Sequence, residues 1–143
     1  MDEKNYLLLQ EQLCFPVYAT SRMITRMYQP WLDELNLTYP QYLVLLVLWE
    51  EKEASVGQLC KKLFLNTNTV TPLVKKLTTK DLVKKGRSET DERSVRISLT
   101  TAGEVLQRKA SKIPLALLDS INMPQDELQE LKRLTWKFLS GNL

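Results

Sequence analysis

The sequence predicts a mainly α-helical fold with one small β-hairpin, and two neighbouring stretches carry that prediction. In residues 66–80, reading NTNTVTPLVKKLTTK, apolar side chains recur at i, i+3, i+4 and i+7, which is one buried stripe of an α-helix. Residues 82–85 and 95–99 then have the composition of short strands, and the polar stretch GRSETDERS joins them. The 66–80 helix is expected to be the second helix of a helix–turn–helix, and a β-hairpin with a charged tip directly after such a motif is called a wing. We therefore expect a winged helix-turn-helix core at about residues 38–100.

The exposed face of the 66–80 helix carries the kinds of side chain that contact DNA bases and phosphates. They are Asn66, Thr67, Asn68, Thr69, Thr71, Lys75 and Lys76. An ordinary amphipathic helix with a solvated face has the same pattern when it is taken alone. The charge distribution favours DNA binding, because residues 61–96 carry ten Lys and Arg against four Asp and Glu. Since the whole chain has a net charge of +3, the rest is net acidic.

The composition predicts a cytoplasmic globular protein. At 143 residues, with 43% apolar and 26% charged side chains, the chain is expected to form a single domain over residues 1–143. It has no long uncharged apolar run, and its acidic, polar first residues do not resemble a secretory signal. Histidine is absent, which excludes Ser-His-Asp and Cys-His catalytic groups and His-ligated metals. We therefore expect neither an enzyme nor a cofactor.

A long first helix is expected over about residues 7–35. Pro16 and Pro30 lie inside its apolar pattern, so we expect a bend or a break near each. The second helix should run over residues 41–51, with Pro40 suited to the first helical position. Its heavily apolar sequence predicts a core element.

Two shorter helices are expected to form the helix–turn–helix. Ser55 and Gln58 fit a capping box that opens a helix through Leu63. The next helix is the 66–80 stretch, and either Asn66 or Thr67 can cap its first turn by accepting a backbone N–H.

The C-terminal part predicts two more helices. Thr101 and Glu104 fit another capping box, for a helix through about residue 118 that Pro114 should kink. Pro124 then opens a last helix. These helices carry more apolar positions than one small domain needs. We therefore expect a dimerisation layer made from about residues 7–35 and 101–140.

The two cysteines lead to different predictions. One stripe of the first helix, within about 40° at 100° per residue, holds Cys14, Tyr18, Ser21, Thr25 and Tyr28. This stripe is either a sensing thiol flanked by phenol groups or a buried small hydrophobe beside half-buried tyrosines. Cys60 stands beside Leu59 and close to Leu63 in the pattern, so we expect it in the core.

The stretch from residue 91 to residue 103, DERSVRISLTTAG, resembles the wing signature of the MarR family of winged-helix regulators. That signature has an Asp, an Arg two residues on, and a strand that ends in Leu-Thr before a Gly. Here these residues are Asp91, Arg93, Leu99, Thr100 and Gly103. The N-terminal half, residues 13–51, is similar to the organic-hydroperoxide-sensing OhrR-type branch. The resemblance implies a homodimeric DNA-binding transcriptional regulator, expected to be a repressor.

The resemblance to this branch also implies a sensing site. The branch's peroxide-reactive cysteine is matched by Cys14, the two tyrosines that hydrogen-bond it by Tyr28 and Tyr39, and a nearby third tyrosine by Tyr18. About 21 Å of helix separates Cys14 from Tyr28, so a Tyr28 that bonds Cys14 must come from the partner subunit. An organic hydroperoxide would oxidise Cys14 to a sulfenic acid, which would form a mixed disulfide with a low-molecular-weight thiol or oxidise further. With no cysteine near the C-terminus, the chain resembles the one-cysteine kind.

For DNA, we expect two recognition helices of a homodimer to enter successive major grooves of a pseudo-palindromic operator. The family resemblance implies that Arg93 would enter the minor groove, oriented by Asp91. Contacts to the DNA backbone would come from Lys84, Lys85 and Arg87. The branch usually has Asp-Ser-Gly where residues 66–68 are Asn-Thr-Asn, so we do not expect its operator sequence to transfer.

Two functions of other classes stay open. A MarR-type regulator that binds an anionic or aromatic small ligand, with Cys14 inert, would still release DNA after a Cys14→Ser change. A thiol peroxidase is the other, and the missing histidine and resolving cysteine argue against it.

Overall fold

The computed structural model describes residues 3–87 and 95–143, and these are mainly helical with a small antiparallel sheet, which confirms the expected fold class. The elements in chain order are two 3-10 turns (Glu3–Leu7 and Leu9–Glu11), α1 (Cys14–Glu34), α2 (Tyr39–Glu51), β1 (Glu53–Ala54), α3 (Val56–Leu63), α4 (Thr67–Thr79), β2 (Val83–Arg87), β3 (Val95–Leu99), α5 (Thr101–Ala110), α6 (Ile113–Ser120) and α7 (Gln125–Gly141). They belong to two compact units, Met1–Ser111 and Lys112–Leu143. The single domain expected over residues 1–143 stays a prediction.

The first helix begins at Cys14, so its expected start near residue 7 is wrong. Pro16 is its third residue, and a proline ring would clash with the carbonyl of the residue four before it, which ends any helix upstream. The two 3-10 turns take the place of the missing helical turns. At Pro30, where a bend or a break was expected, the helix does not break, because α1 continues to Glu34; a bend there stays a prediction. Pro30 lies near the C-terminal end, where it interrupts a single backbone hydrogen bond.

Two reciprocal capping boxes start α2 and α3. Thr38 Oγ1 accepts the N–H of Gln41 (3.4 Å) while Gln41 Oε1 accepts the N–H of Thr38 (3.1 Å). The helix therefore begins at Tyr39, two residues earlier than expected, with Pro40 in its second position. Ser55 and Gln58 make the same pair of bonds at α3, which confirms the expected capping box there.

The helix–turn–helix is formed by α3 and α4. Phe64 ends α3 in the left-handed region (φ 55°) and turns the chain toward α4. Asn66 is the residue that caps α4, and its Oδ1 accepts the N–H of Thr69 at 3.0 Å. The expected apolar stripe is confirmed. Its buried members are Val70, Val74 and Leu77.

In the described residues the sheet has three antiparallel strands, in the order β1-β3-β2. The two-residue strand β1 was not expected, because two residues are too few to show an alternating pattern. The hairpin strand β2 was expected over residues 82–85 but starts at Val83 and reaches Arg87. Leu82 stays outside the strand because its N–H bonds back to the Leu77 carbonyl at the end of α4 (3.1 Å).

The helix expected over residues 101–118 is in fact two helices. The first helix, α5, ends at Ala110, and Pro114 is the second residue of α6. In a continuous helix the N–H of residue 114 would donate to the carbonyl of Ala110, but proline has no N–H, so this hydrogen bond cannot form. The expected cap is also wrong by one residue, since Thr100, not Thr101, accepts the N–H of Gly103 (3.1 Å). The last helix follows Pro124 as expected.

The core of the first unit surrounds α2, which confirms that helix as a core element. Its fully buried side chains include Val44, Leu45 and Leu48 of α2 together with Leu59, Val70, Leu77 and Ile97 from α3, α4 and β3. In the described part of the chain, none of the helices combines the length and the apolar character that a membrane crossing needs.

Candidate nucleic-acid interface and thiol site

The exposed face of α4 holds all seven of the side chains proposed for DNA contact on this helix. Asn66, Thr67, Asn68, Thr69, Thr71, Lys75 and Lys76 are each exposed. The cap uses the side-chain oxygen of Asn66, which accepts both the N–H and the hydroxyl of Thr69 (3.0 and 3.1 Å). A contact from Asn66 to DNA would therefore come through its amide NH2 group.

The hairpin adds positive charge beside this helix. Lys84, Lys85 and Arg87 are exposed on β2, directly after α4 in the chain. Asp91 and Arg93, the two proposed contacts at the wing tip, lie outside the described residues.

Some of the basic residues counted from the sequence are held by partners within the fold. The ammonium group of Lys80 donates to the Asn36 carbonyl and to Gln41 Oε1 (3.0 Å), so it closes the junction before α2. Lys62 Nζ lies 2.5 Å from Glu51 Oε1, and that hydrogen bond raises the pKa of Lys62. The charge offered to DNA is therefore smaller than the sequence count implies.

Cys60 is half-buried, so its expected place in the core is wrong. Leu59, the neighbouring residue, takes the core position. The Cys60 sulfur instead lies 3.8 Å from the hydroxyl oxygen of Thr67, the first residue of α4.

Cys14 is exposed and is the first residue of α1. Tyr18, one turn further on, is 60% exposed, and the guanidinium carbon of Arg22 lies 5.5 Å from its ring centre. Because α1 is continuous from Cys14 to Tyr28, the two side chains start about 21 Å apart along one helix. Within one chain the structure does not bring Cys14 and Tyr28 together.

Tyr28 and Tyr39, by contrast, are brought together. Their ring centres are 5.1 Å apart, from α1 and from the first residue of α2. A third tyrosine, Tyr42, is buried against both, at 5.7 Å from Tyr28 and 6.3 Å from Tyr39. Tyr42 was not among the proposed site residues, although its spacing of three from Tyr39 would have placed both rings on one helix face.

The tyrosine cluster is chemically distinct because burial disfavours the charged phenolate. Burial, with neighbouring Tyr39 and Tyr42, raises the pKa of Tyr28 to about 12. Burial also raises the pKa of Tyr39 and of Tyr42. These phenols keep their protons at neutral pH and can therefore donate hydrogen bonds.

The cluster continues toward the base of the hairpin. Tyr42 meets the edge of Trp49 at 6.2 Å, and the Trp49 indole N–H donates to the Gly103 carbonyl at 3.0 Å. Gly103 lies against the backbone of Leu82, just before β2. Across residues 3–87 and 95–143, no group of His, Cys, Asp and Glu side chains is placed to hold a metal ion.

The chain is similar along most of its length to bacterial transcriptional regulators. The family described as "Transcriptional regulator SarA/Rot" matches residues 26–110. The chain is 43% identical over 135 residues to the organic hydroperoxide resistance transcriptional regulator of Bacillus subtilis (strain 168), covering 94% of this chain and 92% of that one. It is 40% identical over 132 residues to the HTH-type transcriptional regulator MgrA of Staphylococcus aureus, covering 92% of this chain and 90% of that one.

Among solved structures, reduced AbfR bound to DNA superposes with a TM-score of 0.80 at 32% sequence identity, covering 99% of this chain and 96% of that one. AbfR of Staphylococcus epidermidis superposes with a TM-score of 0.75 at 30% identity, covering 97% and 94%.

Proposed function

This chain belongs to the MarR family of winged-helix, DNA-binding transcriptional regulators, and from that membership we propose that it is a homodimeric repressor whose DNA binding is switched off by oxidation of Cys14. The oxidant we propose is an organic hydroperoxide. The observation that carries this proposal is an exposed Cys14 at the head of α1, in a chain 43% identical to an organic hydroperoxide resistance regulator.

The polar face of α4 supports the DNA-binding part of the proposal. Its exposed amide, hydroxyl and ammonium groups suit the major groove, where each base pair presents a distinct pattern of donors and acceptors. The exposed cations of β2 suit phosphates on either side of that groove. AbfR, a similar protein, has been solved on DNA.

An exposed apolar surface at the N-terminal end supports a homodimer. Large apolar side chains are exposed on the 3-10 turns and the first half of α1, among them Leu7 (87% exposed) and Leu13 (71% exposed). Several large exposed apolar side chains in one segment favour an interaction site there. We further propose that the two α1 helices pair antiparallel, so that Tyr28 of the partner reaches Cys14, because Cys14 and Tyr28 of one chain are too far apart to touch.

The proposed chemistry at Cys14 is a two-electron oxidation. The thiolate sulfur attacks one peroxide oxygen, an S–O bond forms, the O–O bond breaks, and the alkoxide leaves and takes up a proton to become an alcohol. The resulting sulfenic acid then reacts with a low-molecular-weight thiol, which gives a mixed disulfide and water. A second hydroperoxide would instead carry the sulfur to a sulfinic acid.

The tyrosines supply hydrogen-bond donors in this proposal. The Tyr28 O–H is intact at neutral pH, and the raised pKa of about 12 keeps it protonated over a wider pH range than an exposed phenol. A phenol that donates to a thiolate or sulfenate makes a charge-assisted bond, which is stronger than a neutral one. Tyr39 contacts Tyr28 and is the second proposed donor.

Oxidation would then release DNA by changing the dimer seam. A mixed disulfide adds bulk next to Cys14, and a sulfinate adds charge, so either disfavours the arrangement in which both α4 helices fit successive grooves. A loss of two to three orders of magnitude in affinity needs only about 3–4 kcal/mol of differential stability. We also propose that the protein acts in the cytoplasm and stoichiometrically, without catalytic turnover.

The test is release from DNA after addition of one equivalent of cumene hydroperoxide and a small thiol. The DNA is a duplex that the reduced wild-type protein selects from a random-sequence library. Wild type and Cys60→Ser should release it, whereas Cys14→Ser should stay bound. Retention by wild type, or release that survives Cys14→Ser, would contradict the redox switch. A small ligand that releases both proteins would identify the ligand-binding alternative.

A further inference from the structure

Arg96 lies at the point where the hairpin leaves the rest of the sheet. The β2–β3 ladder pairs five residues, from Val83 opposite Leu99 to Arg87 opposite Val95. The anchoring strand β1 pairs with only two residues of β3, Ser98 and Ile97. Arg96 is the next residue toward the tip, so backbone support from β1 ends just before it.

The Arg96 side chain replaces that support with contacts to two other elements. Its Nη1 donates to Oε1 of Gln58 in α3, the same oxygen that accepts the N–H of Ser55 in the capping box. Its Nε lies 4.0 Å from Oε1 of Glu53 in β1. Glu53 faces Ser98 in the register, so Arg96 is its diagonal neighbour on one face of the sheet.

This arrangement is not the one that stability alone would favour. The Arg96 side chain is only 22% exposed, and among residues 3–87 and 95–143 its buried Nε–H has no hydrogen-bond partner. A buried donor without an acceptor is unfavourable, and apolar side chains of similar size are often at least as stable in such positions. A residue needed only for packing would therefore not have to be an arginine.

We propose that Arg96 is a positioning residue for DNA binding, which fixes the hairpin against the N-terminal end of α3 and so sets its angle to α4. This inference rests on the proposed DNA-binding function but not on the redox switch. Because α3 and α4 pack as one helix–turn–helix, a hairpin fixed to α3 is also fixed relative to the recognition helix. Groove and backbone contacts can then form together without an ordering cost at binding.

The experiment measures affinity and stability side by side on wild type, Arg96→Met and Arg96→Lys. The probe is the duplex selected by the reduced wild-type protein, in fluorescence anisotropy. For Arg96→Met we expect an affinity about tenfold lower, with a thermal midpoint equal to or above that of wild type. For Arg96→Lys we expect a similar loss, because an ammonium group lacks the planar fork that spans Gln58 and Glu53.

Each departure from this pattern overturns the proposal. Wild-type affinity in Arg96→Met would mean that Arg96 has no role in binding. Wild-type affinity in Arg96→Lys, with loss in Arg96→Met, would mean that the positive charge alone matters, as in a direct phosphate contact. Parallel losses of affinity and thermal midpoint would mean a purely structural role.

A double-mutant cycle with Gln58 tests the contact itself. If the two side chains act as a pair, Gln58→Leu lowers affinity, and adding Arg96→Met lowers it by less than a further twofold. Full additivity would contradict the proposal. Arg108→Met, the same change on the exposed face of α5, is the control and should leave affinity unchanged. If wild type selects no duplex at all, the proposed DNA-binding function fails, which is distinct from failure of the Arg96 inference.

Discussion

Tyr28 is a residue whose chemistry depends on its burial. Burial raises the pKa of Tyr28 from its usual 10.0 to about 12, so folding favours the protonated phenol. That contribution to stability is complete below pH 10 and is lost as the pH rises from about 10 toward 12. We predict that native protein shows a tyrosinate absorbance step at 295 nm near pH 12 that Tyr28→Phe lacks, whereas urea-unfolded protein ionises near pH 10. A native titration complete by pH 10.5 would contradict this account.

Gly103 is required by a close approach of the backbone. A Cβ at this position would overlap the carbonyl oxygen of Leu82 and lie 3.1 Å from Leu99 Cδ2. We predict that Gly103→Ala lowers the free energy of unfolding in urea by about 2–3 kcal/mol.

Gly57 provides the matched control for Gly103. It also lies in the first turn of a helix, but an added Cβ would meet only Ser55 Oγ at 3.9 Å. Gly57→Ala should therefore leave stability unchanged or raise it by about 0.5–1 kcal/mol. Equal effects of the two substitutions would show that the approach of Leu82 is not what requires glycine.

At the scale of single residues, the sequence predicted which side chains belong to the site better than it predicted which side chains are buried. The resemblance picked out Tyr28 and Tyr39, and the structure brings these two rings into contact. The sequence placed Cys60 in the core, but the helix turns Leu59 inward instead and leaves the thiol half-buried. Lys80 donates to the carbonyl of Asn36, which is 44 residues away in sequence. A local sequence pattern cannot predict such a contact.

At the scale of one element, Asn66 caps the N-terminus of α4. Its side-chain oxygen satisfies the N–H of Thr69, so Asn66→Ala should lower the free energy of unfolding by about 1 kcal/mol. Asn66→Asp keeps an acceptor there and should keep the stability, but its negative charge should weaken binding to DNA phosphates. Urea unfolding and anisotropy separate the two effects.

Asn68 serves as the control for this cap. It is exposed in the same turn of α4 but does not cap the helix. Asn68→Ala should therefore not reduce stability. The cap assignment would be wrong if Asn66→Ala and Asn68→Ala were equally stable.

Helix identities were predictable and helix boundaries were less so. Capping boxes and apolar stripes found α3 and α4, because those signals lie within a few residues of each other. The sequence predicted that Pro16 and Pro114 would bend or break a helix. It did not show that Pro16 lies in the first turn of α1, or that Pro114 lies where α5 and α6 are separate helices. The strand β1 depends on pairing with β3, more than 40 residues on, and so had no local signal.

At the scale of the whole molecule, the basic surface should make DNA binding depend on salt. Each phosphate contact contributes about 0.9 to the slope of log K against log salt concentration. We predict that Lys75→Met reduces the slope of a dimer by about 2, one contact per subunit. Lys137→Met, the same charge change on α7 outside the basic stretch, should leave the slope as it is. Equal slopes for Lys75→Met and wild type would remove Lys75 from the interface.

The sequence by itself predicted least about how two subunits assemble. Net charge and apolar excess indicated a DNA surface and a dimerisation layer, but neither indicates which side chains meet across a seam. The distance along α1 does constrain this, because Cys14 and Tyr28 of one chain cannot touch. The proposed sensing site is therefore built from Cys14 of one subunit and Tyr28 of the other.

Mixed dimers test this shared site most directly. One subunit carries Cys14→Ser and the other Tyr28→Phe, so the mixed dimer has a single Cys14, on the Tyr28→Phe chain. Its rate of oxidation by cumene hydroperoxide is followed by alkylation and mass spectrometry. We predict the wild-type rate, because the partner supplies Tyr28, while the Tyr28→Phe homodimer reacts about tenfold more slowly. A mixed dimer as slow as that homodimer would contradict a site shared between subunits.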